Sequence, residues 1–310
     1  MNSHRTVLKV DLAPLAGSRL QPTGFPDLGA AEFQTADGTK ALLVESAQSI
    51  ANWLESTTWD TARADQPEGL SVLPYVRIVD GSGAFLSSSR LEAHRLASAY
   101  IMTGKADGVD GEKWLAQRFG LTAGRPLDNR AVTAACFRLD PVSLIHGVFF
   151  ARKNWPWQPK IARAVTGFIE AYDVRPAVSG GVKRDYVINE AKEGATTEGY
   201  GMVPYSRVEY TAGRITAYFT VDHAQFRSYG LSEPATALLE ALADYEIGTL
   251  LDRGLRLRTA CDLRVTEIRG ERPDAQEATA RIAKHAADCA AELGPVTTVT
   301  WSGRGKSGSA

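Results

Sequence analysis

Ala151-Arg152-Lys153-Asn154-Trp155-Pro156-Trp157 opens the stretch that decides how this chain folds, which runs on to Tyr210. An apolar run follows over residues 161–172. The chain then enters Arg175-Pro176-Ala177-Val178-Ser179-Gly180-Gly181-Val182-Lys183-Arg184-Asp185-Tyr186, which has little hydrophobic pattern. Residues 152–184 hold seven Lys or Arg against Glu170 and Asp173. The whole chain carries 35 basic and 36 acidic residues, a net charge of −1, so these cations are a local concentration. Cations, tryptophans and glycines together suit a polyanion with flat bases, meaning single-stranded nucleic acid. A solvated basic loop beside core aromatics has the same composition.

Regular elements flank this stretch. Alternating apolar residues predict strands over residues 6–12, 73–79, 207–210, 214–221, 262–269 and 295–301. Helical spacing predicts helices over residues 42–56, 89–102, 111–119, 231–251 and 274–293. The run Ala131-Val132-Thr133-Ala134-Ala135-Cys136-Phe137 reads as a buried strand, and Asp140-Pro141 as a helix start. The length permits one large domain or two small ones, and residues 302–310 read as a flexible tail.

Several chemistries are missing. Gly305-Lys306-Ser307 resembles the end of a phosphate-binding loop, but Thr300 stands where that loop needs its first glycine. No HExxH or GxSxG is present. His4, His94, His146, His223 and His285 have no ligand spacing, and no cofactor is expected. His146 lies in an apolar run, where a satisfied core histidine is the simpler reading. A metal-dependent nuclease using Asp185 or His146 remains the rival enzyme reading, and a protein-binding scaffold without RNA affinity is the other rival. Cys136, Cys261 and Cys289 are odd in number and widely spaced, which suits a reducing cytoplasm. The amino-terminal residues carry no signal-peptide core, and no apolar run reaches membrane-spanning length, so no membrane partner is expected.

Two further segments can touch a phosphate–sugar backbone. The loop Gly17-Ser18-Arg19-Leu20-Gln21-Pro22-Thr23-Gly24-Phe25-Pro26-Asp27-Leu28-Gly29 is too rich in glycine and proline for a regular element. It carries Arg19, Gln21, Thr23 and Phe25, which can bond phosphates or stack. The predicted helix over 42–56 carries a polar row, Glu45, Ser49, Asn52 and Ser56, with Gln48 nearby.

These segments resemble a known family: the backbone subunit that polymerises along CRISPR RNA in the Cascade effector, of type I-G, formerly type I-U. The resemblance spans about residues 9–269. Its carriers are the loop just quoted, Val44-Glu45-Ser46-Ala47-Gln48-Ser49, and Leu139-Asp140-Pro141-Val142-Ser143-Leu144-Ile145-His146-Gly147-Val148-Phe149. Ser179-Gly180-Gly181-Val182-Lys183-Arg184-Asp185 and Leu255-Arg256-Leu257-Arg258-Thr259-Ala260-Cys261-Asp262-Leu263 complete the set.

The resemblance implies a single hand-shaped RNA-binding domain of the RAMP superfamily over residues 1–301, of fold class α+β. Its palm would be a modified RNA-recognition (ferredoxin-like) fold with helical additions. A β-hairpin thumb would be inserted at about residues 176–207, with Ser179, Gly180 and Gly181 as its hinge and residues 192–201 as its tip. Ser46-Ala47-Gln48-Ser49 resembles the Ser-x-Gln helix that such subunits lay against the guide. Arg19, Arg152, Lys153, Arg163, Lys183 and Arg184 would neutralise phosphates, while Gln48, Ser49 and Asn52 would bond the backbone. The implied partners are CRISPR RNA, target DNA through guide pairing, further copies in a head-to-tail filament, and other Cascade subunits. The implied role is non-catalytic.

Overall fold

A computed structural model of the chain describes residues 4–25, 29–183 and 203–303. Arg184, Asp185 and the expected thumb tip at 192–201 lie outside the described residues, as do residues 304–310 of the tail. Of Phe25, Lys183, Val203, Pro204 and Tyr205 only the backbone is described.

Alternation builds the larger sheet. Strand β1 (Arg5–Pro14) buries Leu8, Val10 and Leu12 and turns Val7, Lys9 and Asp11 to the other face. After it come β2 (Glu32–Gln34), β3 (Lys40–Glu45) and helix α1 (Ala47–Ser56). The strands β4 (Val76–Val79) and β5 (Phe85–Ser88) begin a second, smaller sheet. Helices α2 (Gly111–Arg118), α3 (Asn129–Leu139) and α4 (Val142–His146) precede the central stretch. That stretch forms two long strands, β6 (Val165–Lys183) and β7 (Val203–Asp222). Helix α5 (Glu233–Arg253), strands β8 (Leu255–Arg258) and β9 (Cys261–Arg269), helix α6 (Ala275–Asp288) and strand β10 (Thr297–Thr300) complete the chain.

The larger sheet runs β8-β9-β1-β7-β6-β3-β2, antiparallel throughout. Within it, β1, α1, β6, β7, α5 and β9 give the order β-α-β-β-α-β, with spatial order β9-β1-β7-β6. That is the ferredoxin-like arrangement expected for the palm. Helices α1 and α5 cover one face, where Val165, Ile169, Ala171, Ile215, Ala217 and Phe219 are buried. Each such large apolar side chain contributes about 1.5–3 kcal/mol on burial. Residues 57–164 form the helical addition between α1 and β6. The chain's last strand returns to it, β10 pairing in parallel with β4.

The hairpin leaves the palm where β6 loses its last contact with β3, at Tyr172 and Ala41. The next residue, Asp173, has φ 51°, opposite Gly213. A Cβ on Gly213 would come within 3.1 Å of the Asp173 side chain, so glycine relieves the crowding. Pairing then continues from Val174–Ala212 to Lys183–Val203, unbroken through Ser179, Gly180 and Gly181.

Three element assignments differ from the sequence reading. Residues 42–45 belong to strand β3. Ser46 starts the helix, its Oγ accepting from the Ser49 N–H at 3.2 Å, while Leu42 and Val44 pack into the sheet core. Residues 130–139 are helical: Asp128 caps α3 through the Ala131 N–H at 3.0 Å, and Val132, Cys136, Phe137 and Leu139 form one buried stripe. Residues 89–102 contain only short turns of helix, because Arg95 takes φ 51°. Its guanidinium forms a buried two-pronged pair with Glu55, at 2.6 and 2.8 Å.

Candidate nucleic-acid interface

The loop after β1 is fastened at three places. Leu20 exchanges backbone hydrogen bonds with Tyr210 of the hairpin strand, both at 2.8 Å. The Gln21 N–H donates to the Ala260 carbonyl at 2.7 Å, in the β8–β9 turn, and the Thr23 N–H to the Val44 carbonyl at 2.9 Å, in β3. Gly24 then pairs with Ala30, and a Cβ on Gly24 would meet the Gly29 carbonyl oxygen at 2.6 Å. Only glycine fits that close approach.

A buried carboxylate ties the same segments together. Glu45, 2% exposed, ion-pairs with Arg258 and accepts hydrogen bonds from the Ser49 hydroxyl and, at 3.2 Å, from the Trp53 indole. Arg258 also donates to the carbonyls of Gln21 at 2.8 Å and Val44 at 3.3 Å. Three segments far apart in sequence thus meet at the base of the hairpin: the loop, the β3–α1 junction and residues 255–263.

Two open grooves flank that base. The larger, about 800 Å³, is lined by Gln21, Thr23, Glu32, Arg207, Tyr210 and Arg258 among others. The smaller, 380 Å³, is lined by Gly17, Ser18, Arg19, Glu209, Ala260 and Asp262 among others. Glu209 lines the smaller one. Its carboxylate lies 3.4 Å from Arg19 Nη1 and 3.1 Å from Arg207 Nε. Arg207 Nη1 reaches Gln21 Oε1 at 3.4 Å. Tyr210 donates its hydroxyl to Glu32; burial and that bond push its pKa up to about 12, so the phenol stays neutral at ordinary pH.

The arginines fall into two groups. Arg163 donates to the Ala47 carbonyl at 2.9 Å and to Gln48 Oε1 at 2.8 Å, and burial lowers its pKa from the usual value. Arg152 is paired with Glu112, and Arg258 with Glu45 and two carbonyls. The donors of Arg163 and Arg258 serve the fold, whereas Arg152, 38% exposed at its side chain, is held through Nη2 and keeps further N–H groups, as its guanidinium has five. Among the described residues, Arg19 is 56% exposed at its side chain and makes a single long ion pair, while Arg207, 39% exposed, pairs with Glu209 through a buried Nε and has one long hydrogen bond from Nη1. A guanidinium has five N–H donors, so both can still bond an anion. Lys153 is exposed.

The polar row of α1 is engaged within the protein. Gln48 Nε2 donates to Asn52 Oδ1 at 3.3 Å, the Ser49 hydroxyl to Glu45, and Ser46 Oγ caps the helix. Gln48 and Asn52 are exposed at the surface. Trp155 is buried in an aromatic cluster with Phe119 and Phe150, and Trp157, partly exposed, donates to the Arg125 carbonyl at 2.7 Å. Reading the sequence missed Arg207, Glu209 and Tyr210 as site residues. Their alternation identified the strand, but nothing local reveals that loop 15–25 docks there.

His146 is sealed in the core, its Nε2 2.8 Å from Glu246 Oε2, and both side chains are 0% exposed. Among the described residues, no three His, Cys, Asp or Glu side chains gather as a metal site would require. The three cysteines are buried and free. No described helix is long and apolar enough to cross a membrane.

Residues 6–176, more than half of the chain, match the family described as CRISPR-associated protein GSU0053. The chain belongs to that CRISPR-associated family. The matched region of the GSU0053 family holds the loop, α1 and the palm part of β6, ending at Pro176. Among curated protein sequences none matches. One similar solved structure is a chain of a "CRISPR RNA-guided surveillance complex, pre-nicking", at 12% identity and TM-score 0.41, covering 91% of this chain and 88% of that one. Another is Csc2 of Thermofilum pendens, at 11% identity and TM-score 0.32, covering 92% and 77%. Likenesses this distant carry no argument about function.

Proposed function

We propose that this chain is a non-catalytic subunit of a type I-G Cascade effector that binds CRISPR RNA along its backbone. Copies stack head to tail on the guide in the cytoplasm, other Cascade subunits complete the particle, and base pairing reads the target DNA. The observation that supports this best is the hairpin base. There, two arginines with unengaged donors, Arg19 and Arg207, face open grooves beside a rigidly fastened loop. Backbone binding needs donors fixed in space and no sequence-specific pocket. The near-neutral total charge suits a subunit with one local RNA track and neighbours stacked on its flanks.

The nuclease reading is weakened because His146 has no path to a substrate. Asp185 lies outside the described residues. Co-expression with a guide RNA tests the proposal. The purified material is expected to show a nucleic-acid absorbance ratio and a size that rises with guide length. A protein-only monomer in the presence of guide would refute it, and so would metal-dependent cleavage lost in Asp185→Ala.

A further inference from the structure

Glu209 is an odd residue to find at an RNA-binding surface. It is 5% exposed and directs its carboxylate between Arg19 and Arg207, cancelling one of their two charges. Electrostatics alone would favour a neutral residue there. Burying a carboxylate also costs free energy that must be offset by its partners. What the carboxylate supplies is direction. An arginine side chain carries roughly 2 kcal/mol of rotamer entropy, and a donor already held in place loses less of it on binding.

The placement of the two grooves gives that direction a purpose. Arg19 lines the smaller groove and Arg207 the larger. The hairpin strand, bridged to the loop through Leu20 and Tyr210, runs between them. One carboxylate therefore sets the aim of one guanidinium into each groove. Gln21, bonded to Arg207 and anchored through its own N–H to Ala260, braces the second one.

We infer that Glu209 is a positioning residue for a continuous track. A single RNA strand crosses the base of the hairpin from the smaller groove to the larger, with one phosphate on Arg19 and a further phosphate on Arg207. The inference rests on the RNA-binding reading above and adds the path of the strand and the residue that fixes it.

Glu209→Gln separates charge from position, because the two side chains have nearly the same shape. The full chain would be titrated against a fluorescent oligouridine by anisotropy, with thermal melting as a control for folding. If Glu209 merely neutralises, removing its charge tightens binding. If it positions the arginines, Glu209→Gln weakens binding by roughly three- to tenfold. The same change in an Arg19→Gln/Arg207→Gln background then has no effect. Equal or tighter binding by Glu209→Gln overturns the inference, as does undiminished weakening in the double-variant background. Should Glu209→Gln fail to fold, Arg19→Lys and Arg207→Lys take its place. Each keeps the charge but loses the guanidinium nitrogen that Glu209 contacts. Each is expected to bind less tightly, and wild-type affinity in both would refute the inference. Absence of binding by the wild-type chain would instead remove the RNA-binding reading itself.

Discussion

Replacing Glu45 by alanine is expected to cost about 3 kcal/mol of folding stability. The figure follows from its neighbours. Glu45 is 2% exposed and serves three donors: the Arg258 guanidinium, the Ser49 hydroxyl and the Trp53 indole. Truncation leaves Arg258 without its counter-charge. Breaking a fully buried pair this way costs about 3–5 kcal/mol. Here Arg258 is 24% exposed and keeps two carbonyl acceptors, so its own share is smaller. The two neutral donors add about 1 kcal/mol each. Recovered solvation of the removed carboxylate offsets part of the sum. Urea unfolding followed by far-ultraviolet circular dichroism measures the loss, and Tm should fall by roughly 4–5 °C. Glu45→Gln, which keeps an acceptor for Ser49 and Trp53, should cost about half as much. A loss below about 1 kcal/mol for Glu45→Ala would mean that this cluster does not hold the loop, the β3–α1 junction and residues 255–263 together.

Other outcomes follow from the same geometry. Arg163→Gln should lower stability by about 1–2 kcal/mol through the lost bonds to Ala47 and Gln48, while leaving the salt dependence of RNA binding unchanged. A flatter salt dependence would instead place Arg163 on a phosphate. His146→Ala strands Glu246 in the core and should cost about 3–5 kcal/mol in urea unfolding; an undiminished midpoint would deny that the pair matters to the fold. Tyr210 is raised from 10.0 to about 12 by burial and by its bond to Glu32. The neutral phenol is thus favoured in the folded state. Its stabilising contribution is complete below the unfolded value and is lost as pH rises through the folded one. Difference absorbance of wild type against Tyr210→Phe should show this phenol ionising near pH 12 while the chain stays folded. Ionisation near its ordinary value would contradict the buried hydrogen bond.

Much of the palm was legible because its strands obey a period of two. Residues 6–12, 214–221 and 262–269 each put apolar side chains on one face, and each became a strand of the larger sheet. Helices starting at Ser232 and Asp274 carried caps that mark their ends in sequence. Residues 42–45 and 130–139 were misread for opposite reasons. A short apolar run fits either period, and the decision lay in a single capping residue, Ser46 or Asp128. The site was half legible. Cations and glycines marked the loop and the hairpin, but which cations stay available depends on partners far away in sequence. Arg163 is engaged by α1 through two hydrogen bonds, while Arg19 has one long ion pair. Residue type alone cannot separate these cases.

The salt dependence of binding to unstructured RNA tests the central claim most directly. Each phosphate contact on a single strand contributes a slope of about −0.7 in log K against log salt. Removing both available arginines in Arg19→Gln/Arg207→Gln should therefore flatten the wild-type slope by about 1.4, with the fold intact. A slope equal to that of the wild type would place the RNA somewhere other than the base of the hairpin.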